Sequence, residues 1–163
     1  MKMTSKIAAG LTCIANVLAG PASAQAVVHV PPTGARPAGV PADVQPPFSS
    51  SVLVGDTLYL SGVLDIDPAT RLPGQSVSEQ TKLVLDALER SLKAAGFAMD
   101  DLVWVQVFAT DLATFNTFSE GYMTYFNGPL PARSFVGVSG LMGGAHFEIN
   151  AIAARHIADP HPQ

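Results

Sequence analysis

The sequence predicts a single two-layer α+β domain, a mixed sheet with two helices on one face, and three features predict it. Short runs rich in β-branched and aromatic residues open and close the stretch from Ser51 to His156. Between them lie two segments in which apolar residues recur at three- and four-residue intervals. The resulting order of strands, helix, strand, helix, strands fills about 110 residues, enough for one core covered on one side.

Taken in order, Ser51–Val54 and Thr57–Ser61 flank Gly55-Asp56 and read as a hairpin, after which Gly62 marks a close backbone approach. A loop with Pro68, Pro73 and Gly74 leads to Ser76, three residues before Glu79, the spacing of a capping box at a helix start. Val77, Thr81, Val84, Leu85, Leu88, Leu92 and Ala95 then mark the apolar face of a helix that Gly96 ends. Leu102 to Ala109 reads as a buried strand. A second helix is expected over Thr114 to Asn127, with Phe115, Phe118, Tyr122 and Tyr125 or Phe126 on one face, weakened by about 1 kcal/mol at Gly121. Strands over Ala132 to Val138 and Ala145 to His156 follow, separated by a loop rich in glycine from Gly140 to Gly144. A sheet with helices on one face must hide the other, and only 13% of residues are charged. Packing against sister subunits is the economical solution.

The ends differ from the middle. Lys2 and Lys6, an uncharged run from Ile7 to Gly20 and the triplet Ala22-Ser23-Ala24 have the layout of a cleavable secretory signal over residues 1–24, too short for a permanent membrane span. The one cysteine, Cys13, lies inside it, so a mature chain holds no thiol, as suits a periplasmic or secreted protein. Cleavage leaves seven basic against thirteen acidic residues, a net charge near −6 that disfavours nucleic acid. Residues 25–46, with Pro31, Pro32, Pro37, Pro41 and Pro46, read as an extended linker, residues 47–157 as the folded domain, and 158–163 as a loose tail.

Candidate chemistry is sparse. His29, His146, His156 and His161 show no metal-ligand spacing, no nucleophile elbow is present, and the glycines at 140, 143 and 144 do not precede a helix. Arg133 stands at the start of a strand otherwise made of Phe135, Val136 and Val138, where a planar fork of donors suits a carboxylate. Glu148, among Phe147, Ile149 and Ile152, is a carboxylate out of place, fit to hold or activate water. The plainer alternative is that Arg133 and Glu148 neutralise each other as a buried pair.

With these motifs in view, the run from Pro47 to His156 resembles the Rid (reactive intermediate deaminase, or YjgF) family. The matching features are Ser61-Gly62, Asp67-Pro68, Glu79-Gln80-Thr81, Ala94-Ala95-Gly96, Val107-Phe108 with Asp111-Leu112, Phe115 and Tyr122. Most specific are Pro131-Ala132-Arg133-Ser134 and Glu148-Ile149-x-Ala151-Ile152-Ala153. The resemblance implies a chorismate-mutase-like fold, a homotrimer with clefts between subunits, no metal or organic cofactor, and hydrolytic deamination of small 2-imino or enamino acids. It implies that Arg133 grips the substrate carboxylate and Glu148 positions water, while Phe48, Ser61, Gly62, Ser119 and Phe135 line the same cleft. Four positions depart from the family's pattern. Phe48 replaces a tyrosine, Val63 a glutamine, Ser119 an asparagine and Phe135 a cysteine, which makes the pocket less polar. Two other readings stand beside deamination: a non-catalytic trimer that captures small carboxylates, and a ribonuclease, which the acidic chain disfavours.

Overall fold

The computed structural model describes residues 25–32, Val44 and residues 46–155. The leader-like segment 1–24, most of the proline-rich stretch and the tail from His156 onward lie outside the described residues. Six strands form one sheet: β1 (Val27–Val30), β2 (Ser51–Val54), β3 (Thr57–Leu64), β4 (Leu102–Ala109), β5 (Ala132–Gly137) and β6 (Phe147–Ala154). Two helices, α1 (Val77–Ala94) and α2 (Phe115–Met123), complete the α+β domain. The strand order is β1-β2-β3-β6-β4-β5, antiparallel throughout except that β5 runs parallel to β4.

Several boundaries differ from the sequence reading, each for a local reason. Part of the proline-rich stretch is β1, an edge strand paired with β2, because the four residues Val27–Val30 hold no proline and need donate to one neighbour only. The strand after the hairpin runs on to Leu64, and the pairing with β6 shifts between Leu60 and Val63, so Ser61-Gly62 form an irregularity inside β3. The second helix stops at Met123, where the Thr124 hydroxyl bonds back to the Gly121 carbonyl at 2.7 Å. The last strand starts at Phe147 and not at Ala145, which closes a short 3₁₀ turn through Met142–Gly144.

The first helix starts and ends as its sequence requires. The Ser76 hydroxyl accepts the Glu79 N–H, while the Glu79 carboxylate accepts from the Gln75 N–H at 2.8 Å, one residue earlier than in an ideal capping box. At the other end Phe97 N–H reaches the Leu92 carbonyl and Gly96 N–H the Lys93 carbonyl, with Gly96 at φ +77°, a Schellman closure.

Alternation along the strands decides which residues meet these helices. Leu58, Leu60, Val105, Val107, Ile149, Ala151 and Ala153 point to one face and are buried against Val84, Leu85, Leu88 and Leu92 of α1 and Phe118 and Tyr122 of α2. Each large side chain there contributes about 1.5–3 kcal/mol. Cross-strand register sends Tyr59, Leu64, Trp104, Gln106, Phe108, Glu148, Asn150 and Ile152 to the opposite face. No described helix covers that face, and Tyr59 remains half exposed on it.

Candidate active site

Parallel pairing with β4 puts Arg133 opposite Val105 and Phe135 opposite Val107, so both side chains point to the helix-covered face at the outer edge of the sheet. There the guanidinium donates to Ser119 Oγ at 2.9 Å and lies 4.7 Å from the Tyr122 ring centre, 5.3 Å from Phe115 and 6.0 Å from Phe118. Contact with ring faces stabilises the cation without neutralising it. Among the described residues Arg133 has no carboxylate within ion-pair distance. Its aromatic seat is itself braced, since Phe135 packs edge-on against Phe115 at 5.2 Å and Phe118 at 5.4 Å. A half-buried fork with free donors and one neutral partner is ready for an organic anion.

Glu148 occupies the other face. Its cross-strand neighbours are Leu64 and Phe108, and burial among them pushes its carboxyl above the ordinary glutamate range. The carboxylate lies against Gly62: a Cβ there would overlap Glu148 Oε1 and stand 2.8 Å from Glu148 Cδ and 2.9 Å from Asn150 Oδ1. Only a residue without a side chain lets the backbone pass so close. Beside it, the Ser61 hydroxyl donates to the Ser49 carbonyl at 2.7 Å and its N–H to the Ser50 carbonyl, which brings the chain around the exposed Phe48 alongside Gly62. Asn150 Oδ1 is buried without a hydrogen-bond partner among the described residues.

The candidate residues therefore fall into two groups. Arg133, Ser119 and Phe135 meet on the helix face, Glu148 and Gly62 meet on the open face, and Ser61 ties the segment that follows Phe48 to the same stretch of β3. The alternative that Arg133 and Glu148 neutralise each other as a buried pair is corrected for the single chain by strand parity, because the two point to opposite sides of the sheet. Nor do two surface cavities unite them. The groove of about 470 Å³, lined by Leu102, Val103, Leu130 and Pro131, and the pocket of about 300 Å³, lined by Ser76, Thr110, Asp111 and His146, include neither residue.

Sequence reasoning missed one polar anchor. Asp65 is fully buried and its Oδ1 accepts the N–H groups of His146 at 2.8 Å and Phe147 at 3.1 Å, tying the end of β3 to the start of β6 just before Glu148. Its Oδ2 lies 3.4 Å from His146 Nδ1. A separation of about 80 residues hid this link, and an aspartate following Val63-Leu64 in an apolar strand was the one available signal. The seating of Arg133 on Phe115 and Tyr122 was also missed as a contact, although both residues stood out by spacing.

Comparison with known proteins agrees with this architecture. Residues 41–155 match the family model described as Endoribonuclease L-PSP. A mouse 2-iminobutanoate/2-iminopropanoate deaminase is 40% identical over 111 residues, covering 67% of this chain and 82% of the mouse protein. A RutC family protein of Saccharolobus solfataricus is 40% identical over 110 residues, covering 67% of this chain and 87% of its own length. Among solved structures, RidA from the Antarctic bacterium Psychrobacter sp. PAMC 21119 superposes with a TM-score of 0.67 at 31% identity, over 78% of this chain and all of that one. The YjgF gene product of E. coli does so with a TM-score of 0.62 at 34% identity, over 68% and 89%. By sequence and by fold, this chain belongs to the Endoribonuclease L-PSP family, the YjgF/RidA proteins its motifs resemble.

Proposed function

We propose that the chain hydrolyses small 2-imino and enamino acids to 2-oxo acids and ammonia, in a homotrimer whose clefts pair Arg133 of one subunit with Glu148 of the partner subunit. The observation that carries this reading is the free guanidinium on one face of the sheet and the half-dry carboxylate on the other. Among the described residues neither has its counterpart within the chain, and the face around Trp104, Phe108 and Ile152 calls for a covering surface. The deaminase name of the mouse relative supports the same chemistry.

An imine carbon next to a carboxylate is already electrophilic, so the site has mainly to hold two partners in line. Arg133 fixes the substrate carboxylate through its fork. Glu148, as a carboxylate, takes a proton from the attacking water, whose oxygen forms the new bond to the imine carbon. The C=N electron pair moves to nitrogen, which takes that proton to give a carbinolamine. The proton of the new hydroxyl then passes to nitrogen through the same carboxylate as the C–N bond breaks, so that ammonia leaves and the carbonyl of the 2-oxo acid remains. A carboxyl held above its ordinary range by burial suits a group that must both accept and return a proton.

Imino acid generated by an amino-acid oxidase tests the proposal. We expect the chain to accelerate release of 2-oxo acid, and a rate no faster than buffer across several side chains overturns it. Export after Ala24 is part of the proposal and rests on the leader-like residues 1–24. A mature chain that begins at Gln25, found by mass outside the cytoplasm, is the expected result, and an intact N-terminus in the cytoplasm refutes it.

A further inference from the structure

We infer that the site takes carboxylates with a sizeable apolar side chain, branched or aromatic, in preference to the smallest imino acid; this rests on the proposed role of Arg133 as the carboxylate anchor. The argument starts from the helix-side face of β5. Arg133, Phe135 and Gly137 point the same way along that strand, over a length of about 13 Å. From one end to the other their surroundings change from charged to apolar.

At the charged end is the guanidinium with Ser119. Next come Phe115, 43% exposed, and the edge of Phe135 packed against it. At the far end the Leu112 side chain, 57% exposed, lies over Gly137, where a Cβ would stand 3.1 Å from Leu112 Cγ and 3.2 Å from Cδ1. Gly137 is thus what lets Leu112 settle on the strand. Phe118 and Tyr122 complete the floor but are buried, so Phe115, Phe135 and Leu112 are the surfaces left for a ligand. The same face offers little polar competition: the Ser119 hydroxyl is engaged by Arg133, and the Asp111 carboxylate is turned to the Ala113 N–H at 2.9 Å. A ligand whose carboxylate meets the Arg133 fork has its β-carbon and beyond within reach of Phe115 and Phe135. Each methylene buried there strengthens binding by roughly fourfold.

Two series of ligands test this with the full-length assembly. In the first, kcat/KM is measured for imino acids derived from alanine, 2-aminobutyrate, leucine and phenylalanine. We expect a rise on the order of 10- to 100-fold from the first to the last two. Leu112→Ala and Phe115→Ala flatten that ratio. Turnover of all four with a flat or falling profile overturns this inference, as it would if a neighbouring subunit occupies the stripe, and leaves the deaminase reading intact. Absence of any turnover instead removes the deaminase reading. The second series then decides: calorimetric Kd values for 2-oxopropanoate, 4-methyl-2-oxopentanoate and 3-phenyl-2-oxopropanoate tighten in that order if the stripe binds side chains, and equal or weakening values overturn it.

Discussion

The two halves of the candidate site sit on one sheet yet are built by opposite means. Arg133 lies on the edge strand β5 and is braced by three aromatic rings and a serine from its own chain, so its geometry is complete before any partner arrives. Glu148 lies on the central strand β6, on a face that no described helix covers, with Gly62 pressed against it and Asn150 Oδ1 without a partner among the described residues. The difference teaches where assembly matters. In the proposed trimer the Arg133 half is already formed by the fold, whereas the Glu148 half would gain its final surroundings only when another surface closes over it.

The sharpest way to break that comparison is to remove the cation. Arg133→Ala is expected to lower kcat/KM by roughly 100- to 1000-fold, because the substrate carboxylate loses both charge-assisted bonds. Arg133→Lys keeps the charge but not the fork and recovers only part of the loss in steady-state assays. Mixing then tests whether the halves belong to different subunits. Arg133→Ala and Glu148→Gln chains, each nearly inactive alone, should regain up to about a quarter of wild-type activity when unfolded together and reassembled, since that share of clefts receives both intact residues. Mixed assemblies as inactive as the parents refute a shared cleft.

A smaller effect separates binding from chemistry. Glu148→Gln is expected to reduce kcat by about 100-fold while leaving KM within a few-fold, because the carboxylate anchor is untouched. Burial holds the Glu148 carboxyl above the ordinary glutamate range, so the rise of kcat with pH lies above that range in the wild type and disappears in the variant. The stability sign is the opposite of a salt-bridged acid. A glutamate whose folded-state pKa is raised lends its stability below the unfolded value and loses it as pH rises through the folded one. At neutral pH Glu148→Gln should therefore melt at a slightly higher temperature than wild type, and at pH 4 the two should converge.

Gly62→Ala probes the same half through the backbone. The added methyl collides with the Glu148 carboxylate and Asn150, which costs about 1–3 kcal/mol of stability if the strand holds and displaces Glu148 if it yields. Urea unfolding together with kcat distinguishes the two, and a variant indistinguishable from wild type in both shows that the contact has no consequence.

Much of this was legible in the sequence, because the residues involved obey local rules. The amphipathic helix from Val77, the Ser76 cap and the buried β4 follow from periodicity and capping, and Arg133 and Glu148 each stood out as charges inside apolar strands. What stayed hidden depends on non-local pairing. Whether Arg133 faces α2 or the open side is set by its register with Val105, and the sequence of β5 alone does not contain that choice. The bond from Asp65 to the amides of His146 and Phe147 joins segments that no local pattern connects. The strand β1 was masked by the prolines that follow it, although its own four residues are ordinary strand formers.

The smallest prediction concerns whether the Arg133 half is truly finished within one chain. Tyr122 is buried, its ring stacks on Phe118 and packs at a tilt against Phe126 beneath the guanidinium, and its hydroxyl has no partner among the described residues. Burial pushes the phenol up to about 12, against the opposing pull of Arg133, so it stays neutral throughout the working range. Deleting a buried hydroxyl that bonds to nothing removes a desolvation cost and no bond. Tyr122→Phe should then be neutral or stabilising by up to about 1 kcal/mol in denaturant titration, with KM unchanged. A loss above about 1.5 kcal/mol, or a rise in KM, would mean that this hydroxyl finds a partner on assembly. In that event the Arg133 half, like the Glu148 half, is completed by a neighbour, and the contrast between the two faces becomes one of degree.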